Sequence, residues 1–257
     1  MTIGIPKGLM YYYYTPLWTA FFKELGFDVV ASDDTTTKII SEGCEATVSE
    51  ICVPIKVFNG HVINLIEKGV DYVFVLHFYR HGKEWYCPKF LGITELAEHS
   101  VENIQDKILT ITYTCKSDLL DKPEDYYPIC EKLGVSKKQI KSALKKAIEK
   151  QKEFRSLLTQ SNFGINAVDA LKGKKPKANQ GDITIALMGY VYNIYDDHVS
   201  MGAIKKLHEM GVNVITFDML SEKLIKKDKE YLKEPYWVFA RKVYNSAKYL
   251  LKNDIVD

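Results

Sequence analysis

The chain holds five cysteines but no Cys-x-x-Cys pair. That absence excludes a zinc ribbon and a thioredoxin-type dithiol, and the lack of a local four-cysteine run excludes ferredoxin-like ligation. Net charge is nearly absent too: 35 Lys and Arg against 33 Asp and Glu leave +2. Such a balance gives no general attraction to nucleic acid or to an anionic membrane. No run of about 18 apolar residues occurs, so no membrane-spanning segment is expected. The opening MTIGIPKGLM lacks the basic start and apolar run of a secretory signal. A cytoplasmic location is the expectation, and there cysteines are more often free, metal-bound or redox-active than disulfide-paired. No Gly-x-x-x-x-Gly-Lys-Ser/Thr loop is present, which argues against nucleotide hydrolysis by this chain.

What the chain does have is an ordinary globular composition, 46% hydrophobic and 26% charged over 257 residues, with 17 tyrosines. Ile3–Pro6 reads as a strand, and Pro16–Leu25 as a helix, with Leu17, Ala20, Phe21 and Leu25 at helical spacing and Gly26 as its stop. Asp28–Ala31 is the next strand, Thr35–Gly43 a short helix, and Val53–Gly69 a longer one. Asp71–His77 (DYVFVLH) is the kind of fully apolar strand that is buried on both faces. A helix around Glu95 and the strand Ile108–Thr114 complete a β-α-β-α-α-β-α-β order. That order predicts an α/β fold, an open parallel sheet with helices on both faces and its functional groups at the carboxyl edge.

Ser136–Gln160 reads as a long helix opened by a serine cap, its basic stretch KKQIKSALKKAIEKQK forming a solvated face. Asn162–Gly181 is rich in Gly, Lys, Asn and Pro. After it come a strand at Asp182–Met188, a helix at Asp196–Met210, a strand at Asn213–Phe217 and a last helix over Pro235–Leu251. IALMGYVYNIYDDHVSMGAIKKLHEMGVNVI repeats the layout of IGIPKGLMYYYYTPLWTAFFKELGFDVV. We therefore expect two α/β lobes with parallel sheets, 1–135 and 181–257, joined by a helical connector over 136–180. Two such lobes would bring Tyr11–Tyr14 and Tyr190, Tyr192 and Tyr195 to one cleft, for substrate contact or for packing alike.

Three cysteines, Cys52, Cys87 and Cys115, fall just past ordered elements, where such sheets place ligands. Taken singly, each also fits a small buried apolar group. Cys52 stands before Val53-Pro54 at a helix start, where unsatisfied N–H groups favour thiolate over thiol. A thiolate there serves a nucleophile or a metal ligand equally. His61 lies about 13 Å further along that helix and is poorly placed as a base. His77 and His81 precede Cys87 in a strand-end loop, and neither position alone marks a base.

The segments IGIPKGLMYYYYTPLWTAFFKELGFDVVAS, EICVPIKVFNGHVINLIEKGVDYVFV and WYCPKF, with the later IALMGYVYNIYDDHVSMGAIKKLHEMGVNVI, carry a resemblance. Together they look like the domain found beside the ATPase activase module of the 2-hydroxyacyl-CoA dehydratase system. That family is akin to the iron–sulfur subunits of the dehydratases and to double-cubane-cluster reductases. The resemblance implies a protein of anaerobes that holds an iron–sulfur cluster, [4Fe–4S] or double-cubane, between two flavodoxin-like lobes. By the same resemblance Cys52 and Cys87 match its Cys-x-Pro-x-Lys and Cys-Pro positions, and Lys56 its lysine. Cys115 is assigned as a third ligand from its strand-end position, and Cys44 and Cys130 are left structural. Asn59-Gly60-His61 departs from the family's frequent His-Gly-His, which leaves His61 in place and removes the first histidine. No ATPase module is present, so an activase or other low-potential electron donor would act in trans.

Three functional readings follow. The first is a cluster-binding redox protein, its cluster buried in one chain or bridging a homodimer, with Lys56, His61, Tyr11, Tyr12, Tyr190 and Tyr192 as cleft residues. The second is a non-enzymatic cluster carrier or scaffold for a dehydratase or activase. The third is a metal-free thiol enzyme or small-ligand binder using Cys52.

Overall fold

A computed structural model describes residues 1–114, 117–177, 181–226 and 235–257. The chain divides into two units, Met1–Gln151 and Lys152–Asp257. The first contains β1 (Thr2–Ile5), α1 (Tyr11–Glu24), β2 (Asp28–Ala31), α2 (Thr37–Glu45), α3 (Val53–Glu67) and β3 (Tyr72–Phe78). A small hairpin, β4 (Arg80–His81) and β5 (Glu84–Trp85), precedes α4 (Pro88–Leu91), α5 (Ile93–Ser100) and β6 (Ile108–Tyr113). A 3-10 turn at Pro123–Ile129 and α6 (Cys130–Leu133) lead to α7 (Lys137–Gln160), which runs across the boundary.

The four main strands form one parallel sheet in the order β2-β1-β3-β6. Register runs from Ile3↔Val29 and Gly4↔Val73 to Phe78↔Tyr113. This is the doubly wound order seen in flavodoxin-like folds, whose chain reverses direction between β1 and β3. Right-handed crossovers then set α1 on one face and α3 with α5 on the other. Trp18 and Phe22 of α1 pack their rings on Phe74 of β3 at centroid distances of 5.4 and 5.0 Å. The expected α/β class with a parallel sheet is thus observed.

The first helix differs from its reading in the sequence. It starts at Tyr11 and runs through Pro16 rather than beginning there. Proline inside a helix removes one backbone bond and crowds the preceding turn. Here the buried Gln151 of α7 serves that turn, its Nε2 donating to the Tyr13 carbonyl at 2.7 Å and its Oε1 accepting from Leu17 N at 3.3 Å. The tyrosine run is therefore helical, with Tyr13 and Tyr14 buried and Tyr11 and Tyr12 half-buried.

α2 and α3 lie unusually close. A Cβ on Gly43 would meet the Lys56 carbonyl oxygen at 1.9 Å, and one on Gly60 the Ile39 carbonyl oxygen at 1.9 Å. Two glycines, one per helix, let the backbones touch. Because Gly8, after β1, faces Phe58, the six residues back to Cys52 carry α3 about 9 Å further beyond the sheet's carboxyl edge.

The second unit holds α8 (Ala167–Leu171), β7 (Thr184–Ala186), α9 (Val191–Ile194), α10 (Ala203–Glu209), β8 (Asn213–Ile215), α11 (Glu222–Lys226) and α12 (Val238–Lys252). β7 and β8 pair in parallel, from Thr184↔Asn213 to Ala186↔Ile215. The single helix expected over Asp196–Met210 is shorter. Asp196 accepts from the backbone N–H of His198 and Val199, and Met201 and Gly202 take positive φ of 52° and 66°. An Asx turn followed by left-handed backbone delays the helix to Ala203.

Candidate functional site

Cys52, Lys56 and Cys87 lie on helices of the first unit that begin beyond the carboxyl edge of its sheet. Cys52 is the N-cap of α3, in extended backbone, with proline in the first turn and no hydrogen bond from its side chain to the helix. Cys87 is the N-cap of α4 in the same manner, again with proline and no side-chain cap bond. Serine or aspartate at such positions would close on the helix N–H groups; both thiols are left uncommitted. Cys52 is exposed and Cys87 partly so, and Cys44, Cys52, Cys87 and Cys130 are all free of disulfides. Val48 and Val53, on either side of Cys52, are 65% and 58% exposed, so the α2–α3 tip presents a thiol in an apolar setting. Lys56, one turn into α3, reaches back to the Ser49 carbonyl at 3.1 Å and ties down the loop before the cysteine.

Cys115 lies outside the described residues. Among the described residues, no three His, Cys, Asp or Glu side chains come together as a metal-binding group. Cys52 and Cys87 stand on different elements that both begin at this edge.

His61 takes a different place from the rim. It is fully buried on α3, and both ring nitrogens are engaged, Nδ1 with the Ser32 hydroxyl at 3.0 Å and Nε2 with the Thr35 hydroxyl at 2.9 Å. Ser32 also accepts from Lys7 N at 2.8 Å. One imidazole thereby joins α3 to the loops that follow β1 and β2. Burial, assisted by the nearby Lys7 charge, lowers its pKa from 6.5 to about 4, so the ring is neutral over the physiological range. Lys7 Nζ pairs with Asp34 at 2.8 Å above this clamp. Burial of the neighbouring Tyr11 phenol, with Asp34 adding a repulsive charge, raises its pKa.

A second polar group at this edge was not singled out in the sequence as a whole. Tyr13 donates to Asp118 at 3.1 Å, and His81 Nδ1 lies 3.0 Å from the Tyr113 hydroxyl. Its members come from four separated segments, and no local pattern announces them.

In the second unit, Tyr190 and Tyr192 stack at 5.3 Å with planes 22° apart, after β7. Tyr195 is buried, and its hydroxyl bonds Thr216 at 2.7 Å and the two Asp218 oxygens at 3.0 and 2.9 Å. Burial, reinforced by the Asp218 charge, holds the Tyr195 pKa far above its ordinary value. Burial likewise raises that of Asp218, with the Arg155 charge opposing. Tyr195 is thus an anchor between the loops after β7 and β8.

Among the described residues no helix is long and apolar enough to cross a membrane. Neither a curated protein nor a solved structure matches the chain. The family model of the CoA enzyme activase uncharacterised domain (DUF2229) matches residues 2–220. That match takes in the first unit from Thr2 onward, with the Cys-x-Pro-x-Lys and Cys-Pro helix starts, and both β7 and β8 of the second unit. The chain therefore belongs to the family of the CoA enzyme activase uncharacterised domain.

Proposed function

We propose that this protein is a cytoplasmic iron–sulfur protein that serves an ATP-dependent activase acting in trans, in the redox chemistry related to 2-hydroxyacyl-CoA dehydration. The observation that carries the reading is the pair of uncommitted thiols, Cys52 and Cys87, each at a proline-supported helix start on the ligand-binding edge of the sheet. Family membership supplies the activase connection. Thiols are the donor type that iron–sulfur clusters take, and a [4Fe–4S] cluster takes four. Cys52 and Cys87 would hold the cluster with Cys115 as a third ligand, the fourth coming from a second copy of the chain or an external group. When bound, the cluster would supply low-potential single electrons. The chain's own residues would do the rest. The α3 N-terminus would offset the cluster's negative charge. Lys56 would hold the approach loop, and Tyr11 and Tyr12 are the first unit's aromatic candidates for substrate contact.

The full chain purified without oxygen tests this. Stoichiometric iron and acid-labile sulfide are expected, lost in part in Cys52→Ala, Cys87→Ala and Cys115→Ala and retained in Cys44→Ala and Cys130→Ala. Protein without iron and sulfide refutes the proposal, and equal iron in Cys52→Ala removes Cys52 from the ligand set. Labile iron that passes to an acceptor would instead identify a carrier or scaffold. A nucleophilic Cys52 is disfavoured, because His61 has both nitrogens engaged within the fold.

A further inference from the structure

The second unit holds a cavity outside the proposed cluster site. Its volume is about 170 Å³, and it lies between β8, α10 and the segment 163–169. Its floor is apolar, with Ile165, Val214 and Met219 all buried. Ile204 and His208, one turn apart on α10, form one side. The opposite side is held by backbone and cap bonds. Lys177 N donates to the Gly164 carbonyl at 2.9 Å, and Asn166 Oδ1 caps α8 by accepting from Asp169 N at 3.0 Å. The walls are thus formed by the fold itself, and a preformed site spares a ligand the cost of ordering it.

Size and lining together select the occupant. A dry apolar cavity of about 150 Å³ admits benzene, so this one takes a body of about six carbons rather than a drug-sized molecule. The carboxylate and amide acceptors at the site are already engaged. Asp169 pairs with Lys174 at 2.6 Å and accepts from Asn166 Nδ2 at 3.4 Å. Asn213 Oδ1 accepts from Gly181 N at 3.4 Å, while its Nδ2 donates to the Gly181 carbonyl at 2.7 Å. Donors are the groups left over. Lys177 and His208 line the cavity, are exposed, and make no side-chain hydrogen bond or ion pair among the described residues. An ammonium donates three hydrogens and accepts none, and an imidazole presents at least one N–H. A carboxylate, which only accepts and carries one negative charge, is the head group that suits both.

We propose that this cavity binds a small monocarboxylate with an apolar body of about six carbons. The body rests on Ile165, Val214 and Met219, and the carboxylate faces Lys177 and His208. Binding is non-covalent, and no bond is made or broken. None of the thiols proposed as cluster ligands lies in this unit, so failure of one reading leaves the other standing.

The experiment uses the full chain with ¹³C-labelled isoleucine, valine and methionine methyl groups, and benzoate as the probe. With benzoate up to about 20 mM, the Ile165, Ile204, Val214 and Met219 methyl signals are expected to shift together, with a Kd of about 1 mM. Benzamide, near-isosteric and neutral, is expected to bind several-fold more weakly. Lys177→Gln should weaken benzoate several-fold and leave benzamide unchanged. Ile204→Trp, which fills the cavity from the half-buried side of α10, should abolish binding of both. Methyl signals that stay in place with benzoate overturn the proposal. Equal affinity for benzoate and benzamide overturns the carboxylate head group, and undiminished binding in Ile204→Trp overturns the location. The comparison of the two probes needs no variant and stands even where Ile204→Trp does not fold.

Discussion

Replacing His61 by glutamine removes a group that titrates in the unfolded chain and scarcely at all in the folded one. The folded pKa is about 4, against an ordinary 6.5. As pH falls through 6.5, unfolded His61 takes a proton that the buried ring refuses. Stability is complete above that value, falls toward pH 4 and then levels off. At about 1.36 kcal/mol per pH unit the ceiling is about 3.4 kcal/mol. At pH 5 the same linkage gives a loss of about 2 kcal/mol relative to pH 7.5. His61→Gln keeps hydrogen-bonding capacity toward Ser32 and Thr35 and lacks the titration. Urea unfolding followed by the fluorescence of buried Trp18, in a Trp85→Phe/Trp237→Phe background, reads the first unit. The unmutated chain should lose about 2 kcal/mol more than His61→Gln between pH 7.5 and 5. Parallel pH profiles for the two proteins would refute the claim that burial, rather than solvent contact at a cleft, governs this histidine.

Four other substitutions probe the framework of the two units. Gly60→Ala, in a helix where alanine ordinarily stabilises, should destabilise by about 1–3 kcal/mol in thermal melts, because its Cβ would overlap the Ile39 carbonyl. Gly43→Ala should behave alike, and unaltered melting temperatures would mean that α2 and α3 do not touch there. Gln151→Leu removes both side-chain bonds to the α1 backbone beside Pro16. It should cost about 1–3 kcal/mol and speed amide exchange of Leu17, with unchanged exchange counting against the bridge. Tyr195→Phe withdraws a buried hydroxyl from Thr216 and Asp218. A destabilisation of about 1–3 kcal/mol, seen by hydrogen exchange in β8, is expected, and wild-type exchange rates would show the network to be dispensable.

Local pattern accounts for much of the first unit. DYVFVLH is a strand at Tyr72–Phe78 because a continuous β-branched and aromatic run suits a doubly covered sheet. Val53-Pro54 marks the start of α3 because proline is accommodated there, and the thiol before it follows from that rule. Family resemblance, resting on the same Cys-x-Pro-x-Lys and Cys-Pro stretches, was legible for the same reason, and the family model agrees. The tyrosine run was harder. Its helical state is supported by Gln151, 138 residues away from Tyr13, and no window around Pro16 contains that information.

The sequence by itself thus determined the parallel α/β architecture, the two helix-start cysteines and the family, since each depends on neighbours within a turn or two. Tertiary structure alone decided that His61 is a neutral interior clamp, because Ser32 and Thr35, 29 and 26 residues earlier, close on its two nitrogens. It alone brought His81 of the β4–β5 hairpin next to Tyr113 of β6 and Asp118 of the loop that follows. Hydrogen bonds and burial at such separations are set by packing, and packing has no local signature.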